Sequence, residues 1–325
     1  MQRRDFLKLG PLALLPAKLQ ATKSQPLTGI LLDKRFAEHL IAIDHPESPA
    51  RYEAVAKTLS HADIAGQLLR LTANPASETW LQTIHSPEHC ASIKRHDANA
   101  YEIARLATGG LLACVDAVMA GQVKNAFCAS RPPGHHATNT GREEGFCFFN
   151  HVAIAARYAQ QQYGLKKILI ADWDYHHGNG TEWAFYDDPS VLFFSTHDMN
   201  AYPGTGLPER TGSGKGEGFN INVHLPCGSG DAEILSAFEQ YLLPAAEAFQ
   251  PDLMLLSAGF DSRIDDLLGC HKITDDGFQA LTRLMMQLAE QFCEARLVSV
   301  MEGGYQVSGL QQAVLAHVKA LSIPI

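Results

Sequence analysis

The chain has 325 residues, 46% of them hydrophobic and 19% charged, which is an ordinary globular balance with material for one large domain or two small ones. A net charge of −9 argues against non-specific binding to nucleic acid. The seven cysteines stand singly with no CxxC pair, so they read as small core residues and exclude a disulfide framework or a zinc ribbon.

The N-terminus, "MQRRDFLKLGPLALLPAKLQA" (1–21), places Arg3 and Arg4 ahead of Phe6, Leu7 and Lys8 and a short, weakly apolar run. That order of features resembles a bacterial twin-arginine export signal, which makes 1–21 a signal peptide and 22–325 a single exported domain. The alternative is a cytoplasmic protein with a basic terminus. No apolar run reaches the roughly 20 residues that a transmembrane helix needs. Beyond it, short apolar runs predict strands at 27–32, 126–130, 166–171, 191–196, 219–225, 252–258 and 296–302. Helical patterns lie between most of them. The clearest starts at Thr274, an N-cap followed by Asp275 and Asp276, with Phe278, Leu281, Met285, Leu288 and Phe292 at helical spacing. Strands alternating with helices predict one three-layer α/β/α domain with a mainly parallel sheet. The segment 197–218 holds eight glycine or proline residues and reads as a rim loop.

Costly polar residues fall just after the predicted strands. "RPPGHH" follows 126–130, "DWDYHH" follows 166–171, "THD" closes 191–196, "GFDS" follows 252–258 and "GGY" follows 296–302. Open α/β sheets bind ligands at the carboxyl ends of their strands. Five strands therefore deliver His135, His136, Asp172, Asp174, His176, His197, Asp261 and Tyr305 to one rim. If the chain stays extended past Ala171, side chains alternate and Asp172, Asp174 and His176 share a face. With Asp261, two carboxylates and one imidazole suit zinc or another divalent transition metal with a position open for water; a metal-free Asp–His network is the alternative. The paired histidines are candidate proton carriers, and Tyr305 is a candidate donor to a developing oxyanion.

In order along the chain, "HPESPARYEAV" (45–55), "RPPGHHA" (131–137), "GFCFFNHVAIAA" (145–156), "DWDYHHGNGT" (172–181), "YPGTG" (202–206), "SAGFDS" (257–262) and "EGGY" (302–305) resemble the zinc-dependent histone deacetylase-type amidohydrolases, nearest their class II branch and bacterial relatives. The resemblance covers about 27–322. It implies an arginase/deacetylase-like fold and a hydrolase acting on an N-acyl-lysine-like amide, whether small molecule or peptide. It implies one zinc ion on Asp174, His176 and Asp261. His136 stands as the general base and acid, and His135 as its partner, bonded to Asp172. Asn179 stands where class II members contact the second histidine, and Tyr305 polarises the carbonyl. Phe146 and Tyr202 wall the acyl-lysine channel, with Tyr202 departing from the commoner phenylalanine, and the backbone of Gly145 accepts the substrate N–H. It further implies structural potassium, at an inner site of Asp172, Asp174, His176, Ser195 and Thr196 and an outer site of Phe185, Asp188, Val191 and Phe219.

Three rival readings remain. An arginase-like enzyme holds two manganese ions with Asp-x-His-x-Asp, but here the last position is Gly178. An acetylpolyamine hydrolase can carry an acidic gatekeeper at the channel mouth. Leu268, seven residues beyond Asp261, is apolar, although loop 38–49 also shapes the mouth and holds Glu38, Asp44 and Glu47. A non-catalytic acyl-lysine reader predicts the loss of a ligand, a dyad histidine or Tyr305, and none is lost.

Overall fold

A computed structural model describes residues 28–323. The expected signal peptide, 1–21, lies outside the described residues. Eight strands form one sheet: β1 (Thr28–Leu31), β2 (Leu68–Leu71), β3 (Asn125–Cys128), β4 (Ile168–Asp172), β5 (Val191–His197), β6 (Asn220–His224), β7 (Leu253–Ala258) and β8 (Leu297–Met301). Their order is β2-β1-β3-β8-β7-β4-β5-β6, and every pair is parallel.

The seven predicted strands are all present, as is the helix capped by Thr274, which spans Asp275–Cys293 with the Thr274 side chain accepting from the N–H of Gly277. β2 was not expected. It is a four-residue edge strand, "LLRL", half exposed and interrupted by Arg70, so it shows neither a buried apolar run nor strict alternation.

The sheet is covered on both faces. Alternate strand residues point into opposite cores: Ile168 and Ile170 pack with helices Ala98–Met119 and His151–Tyr163, whereas Leu169 and Ala171 pack with helices Asp275–Cys293 and Val307–Leu321. Two-sided burial explains why the central strands read as continuous apolar runs. It also explains why most of the costly polar groups gather where the strands leave the sheet.

The cysteine reading needs correction. Cys90, Cys114, Cys128, Cys147 and Cys293 are free and buried, as expected, but Cys227 and Cys270 form a disulfide across a sequence separation of 43. Single spacing along the chain carries no information about pairing between two distant loops.

Several histidines are structural. Fully buried His317 lies between the hydroxyls of Thr282 and Ser299, at 2.7 and 2.9 Å, and burial pushes its pKa down to about 3. An unfolded histidine titrates near 6.5, so the unfolded chain binds a proton that the folded one refuses. Its contribution is therefore complete above about pH 6.5 and is lost as the pH falls towards 3, about 2 kcal/mol by pH 5. His317→Gln should consequently flatten the dependence of Tm on pH between 7.5 and 5 relative to the parent. Parallel curves for the two proteins would refute this assignment.

Candidate active site

The carboxyl ends of β3, β4, β7 and β8 converge as the sequence suggests, but by a different local route. The chain does not stay extended past Ala171: β4 ends at Asp172 and then turns. Asp172 Oδ1 accepts the N–H of Asp174, and Asp174 Oδ1 accepts that of His176, at 3.0 and 2.9 Å. Such aspartate-to-backbone bonds two residues on are the local alternative to continuing a strand. They turn Asp172 away from Asp174 and towards His135, whose Nδ1 lies 2.9 Å from Asp172 Oδ2.

Asp174, His176 and Asp261 each offer a ligand atom within 4.8 Å of the others. His176 Nδ1 lies 3.2 Å from Asp174 Oδ1 and 3.0 Å from Asp261 Oδ2. The outer oxygens are tied back: Asp174 Oδ2 accepts from the N–H of Gly303 at 2.8 Å, and Asp261 Oδ1 from that of Tyr175 at 2.8 Å. Backbone donors thus hold each carboxylate's orientation and leave the facing atoms to share one small volume. Burial works to lower the His176 pKa, but its bonds to the two carboxylates outweigh this and hold it at about 10. Burial, reinforced by the charge of Asp174, pushes Asp261 up to about 7. Two carboxylates crowded against one imidazole out of water have the chemistry of a divalent-cation site, and the donor set fits zinc. A second ion of the arginase type does not fit beside it. A side chain at Gly178 would put its Cβ 2.3 Å from Asp172 Oδ2, so there is no room for a further carboxylate.

The two adjacent histidines have opposite environments. Burial opposes charge on His135, but Asp174 and Asp172 overcome it and hold His135 well above the usual histidine range. Burial, then the charges of His135 and His176, push His136 well below it. His136 Nδ1 bonds Asn179 Oδ1 at 2.7 Å, and its ring centroid is 4.0 Å from that of His135 and 6.0 Å from that of His176. The two histidines are thus pushed in opposite directions, a division that separates proton-transfer roles.

Aromatic rings and a glycine flank His136. Tyr202, 50% exposed, sets its ring edge-on to His136 at 5.0 Å, and Phe146 meets Tyr305 at 5.7 Å. Gly145 adopts φ +53, and a Cβ there would lie 2.3 Å from His136 Cδ2 and 2.8 Å from Tyr202 Cε1. Burial keeps the Tyr305 phenol well above its usual range, so its hydroxyl remains a donor. Leu268, 38% exposed, sits on the loop after Asp261.

Two expectations fail. His197 does not reach the rim; it is fully buried, bonding Ser195 Oγ at 2.8 Å and the Gly206 carbonyl at 2.9 Å, where it supports the glycine-rich loop. Glu47 does not shape the mouth: it is buried, with Arg131 bound to both its oxygens at 2.6 Å and Arg51 at 3.1 Å. Arg51, overlooked from sequence, also donates to the Gly304 carbonyl at 2.6 Å and holds its guanidinium 4.9 Å from the Tyr305 ring centroid. Glu302, likewise overlooked, accepts from the N–H of Gly134 at 2.6 Å and of His135 at 3.2 Å. Both lie inside the quoted motifs, and a glutamate closing an apolar run was the available signal.

Residues 45–321 match the histone deacetylase domain family. Histone deacetylase 15 of Arabidopsis thaliana is 37% identical over 317 residues, covering 90% of this chain and 56% of that protein. A probable deacetylase of Archaeoglobus fulgidus is 36% identical over 301 residues, covering 87% of this chain and 82% of that one. The human polyamine deacetylase HDAC10 is 39% identical over 301 residues, covering 85% and 44%. The crystal structure of the HDA15 HD domain is similar with a TM-score of 0.85 at 35% identity, covering 92% of this chain and 88% of that one. The chain belongs to the histone deacetylase family. It spans about half the length of the Arabidopsis and human relatives and most of the archaeal one.

Proposed function

We propose that this chain is a zinc-dependent amidohydrolase that removes the acyl group from an N-acyl-lysine-like amine. The observation that carries the reading is the convergence of the Asp174–His176–Asp261 cluster with His136, whose pKa is pushed down, and Tyr305, whose phenol is kept protonated. Zinc held by those three residues supplies Lewis acidity, which lowers the pKa of water towards neutrality and polarises a carbonyl. The chain's own residues do the rest. Neutral His136 takes the proton from the attacking water and gives it to the departing amine. Charged His135, held by Asp172, fixes the polarity of the pair. Tyr305 donates a hydrogen bond to the carbonyl oxygen as negative charge develops on it. Gly145, Phe146 and Tyr202 enclose the acyl-lysine stem and exclude water.

Acetylpolyamine hydrolysis is the second reading, supported by the name of the human relative. Leu267 and Leu268, exposed on the loop after Asp261, and the withdrawal of the Glu47 carboxylate into ion pairs support a neutral substrate, whereas exposed Glu38 and Asp44 on loop 38–49 support a cationic one. The proposal extends to potassium, at Asp172, Asp174, His176, Ser195 and Thr196 and at Phe185, Asp188, Val191 and Phe219. Its support is the pairing of Asp172 with Ser195 across β4 and β5 and a buried Thr196 hydroxyl without a hydrogen-bond partner.

Export is proposed as well. The order of features in residues 1–21 supports it, and so does a disulfide that includes exposed Cys227, since such bonds persist in oxidising compartments. No helix among the described residues is long and apolar enough to cross a membrane.

Zinc-loaded protein should hydrolyse acetyl-lysine peptides with a higher kcat/KM than acetylputrescine or acetylspermidine; the reverse order would favour the polyamine reading. His136→Ala and Tyr305→Phe should each lose about 10²–10³ in kcat on an amide. An acetyl aryl ester, whose leaving group needs little protonation, should restore part of the loss for His136→Ala alone. Rescue of Tyr305→Phe instead would reverse the roles. For export, bacterial cells expressing the chain should yield a periplasmic form starting near Thr22, and replacing Arg3 and Arg4 by lysine should abolish it. Equal cytoplasmic amounts of both forms with intact N-termini would sink the export proposal.

A further inference from the structure

The deacetylase reading needs the Tyr305 hydroxyl fixed over the reacting carbonyl. The chain before Tyr305 is anchored at Gly303, whose N–H donates to Asp174 Oδ2 at 2.8 Å and whose carbonyl accepts the N–H of Phe260 at 3.0 Å, so the restraint to be accounted for is that at the amide of Tyr305 itself. Gly303 and Gly304 precede it, and Gly304 adopts φ +119, a conformation open chiefly to glycine. On this side the carbonyls of Glu302 and Gly304 are held by Arg51, but no side chain packs from the glycines themselves. Restraint on the other side comes from one carboxylate. Asp266 Oδ2 accepts the N–H of Tyr305 at 2.7 Å and that of Gln306 at 3.0 Å. Its second oxygen, Oδ1, accepts the N–H of Leu268 at 3.0 Å, and its own N–H donates to the Arg263 carbonyl at 3.1 Å. Gln306 is the N-cap of helix Val307–Leu321, so the carboxylate also faces the positive end of a 15-residue helix.

We infer that Asp266 is a positioning residue for Tyr305, and that it sets the tyrosine and the Leu268 rim from a single carboxylate. The inference rests on the deacetylase reading. Asp266 touches neither substrate nor zinc in this scheme; it acts by fixing the backbone from which the phenol projects. A phenol hydroxyl lies far from its own amide, so a small backbone rotation becomes a large displacement at the oxyanion. Misplacement by about 1 Å is enough to cost on the order of 10²-fold in rate. The Arg51 guanidinium and Phe146 touch the ring, 4.9 and 5.7 Å from its centroid, whereas Asp266 holds the backbone from which the ring projects.

A double-mutant cycle on zinc-loaded full-length protein separates positioning from general support of the loop. Asp266→Ala should lower kcat on a trifluoroacetyl-lysine peptide about 10- to 100-fold with one zinc per chain retained. In the Tyr305→Phe background, where there is no hydroxyl to position, the same substitution should cost less than about threefold. An equal loss in both backgrounds, loss of zinc, or an unchanged kcat in Asp266→Ala would each overturn the inference. Asp266→Asn, nearly isosteric, guards against misfolding of the alanine variant. It should show an intermediate loss and faster hydrogen exchange at the amides of Tyr305 and Gln306, and unchanged exchange there would also overturn it. A parent inactive on every acyl amide would instead refute the deacetylase reading, with the exchange experiment still reporting on Asp266.

Discussion

Four carboxyl groups, on Asp172, Asp174, Asp261 and Glu302, are withdrawn from water in one region at the carboxyl ends of β4, β7 and β8. Withdrawing so many acids from water is very costly unless each finds a compensating charge or donor. Much of the site's architecture answers that constraint. Glu302 takes the N–H groups of Gly134 and His135 and the hydroxyl of Ser257, and burial still raises its pKa to about 7. Asp172 is matched by His135. What remains is the excess of Asp174 and Asp261 over His176, and a divalent cation is the group whose charge and ligand preferences suit it. The proton-transfer pair follows from the same field: the acids push the pKa of His135 up, while burial and then the neighbouring His135 and His176 push that of His136 down.

A second buried charge cluster fixes the site to its surroundings. Glu47, Arg51 and Arg131 are all fully buried, and together they join the segment after β1 to the end of β3 and the Glu302–Tyr305 turn. Arg131 Nη1 also donates to the carbonyls of Phe36 and His39. Buried ion pairs of this kind are weak evidence for stability, because desolvation offsets their attraction. Their value here lies in geometry: removing one partner would leave a charge stranded beneath the channel. Arg51 lies against Tyr305 while Asp266 holds its backbone, so the tyrosine is approached by opposite charges from two sides.

The sheet and the polar loops after β3, β4, β7 and β8 were legible because parallel strands buried on both faces leave a simple record: an apolar run, then the chemistry. The proximity of Asp174, His176 and Asp261 follows from that rule even though the chain turns at Asp172 where an extended path was expected. The rest was hidden for physical reasons. His197 obeys the same positional rule as the site histidines, and only its neighbours, Ser195 and the Gly206 carbonyl, make it structural. Glu47 reads as an exposed loop acid until two distant arginines are brought to it. Cys227 and Cys270 belong to loops whose approach no spacing encodes, and Asp266 acts on backbone N–H groups, which leave no trace in side-chain pattern.

The most direct test of the charge account is the unfolding midpoint of chelator-stripped protein as zinc is titrated in. Binding to the folded state alone raises stability by about 2.7 kcal/mol when free ligand is 100 times Kd. The account predicts a rise in Tm of several degrees that saturates at one zinc per chain in the parent and is absent in Asp261→Ala. A midpoint indifferent to zinc in the parent, or an equal rise in Asp261→Ala, would contradict it.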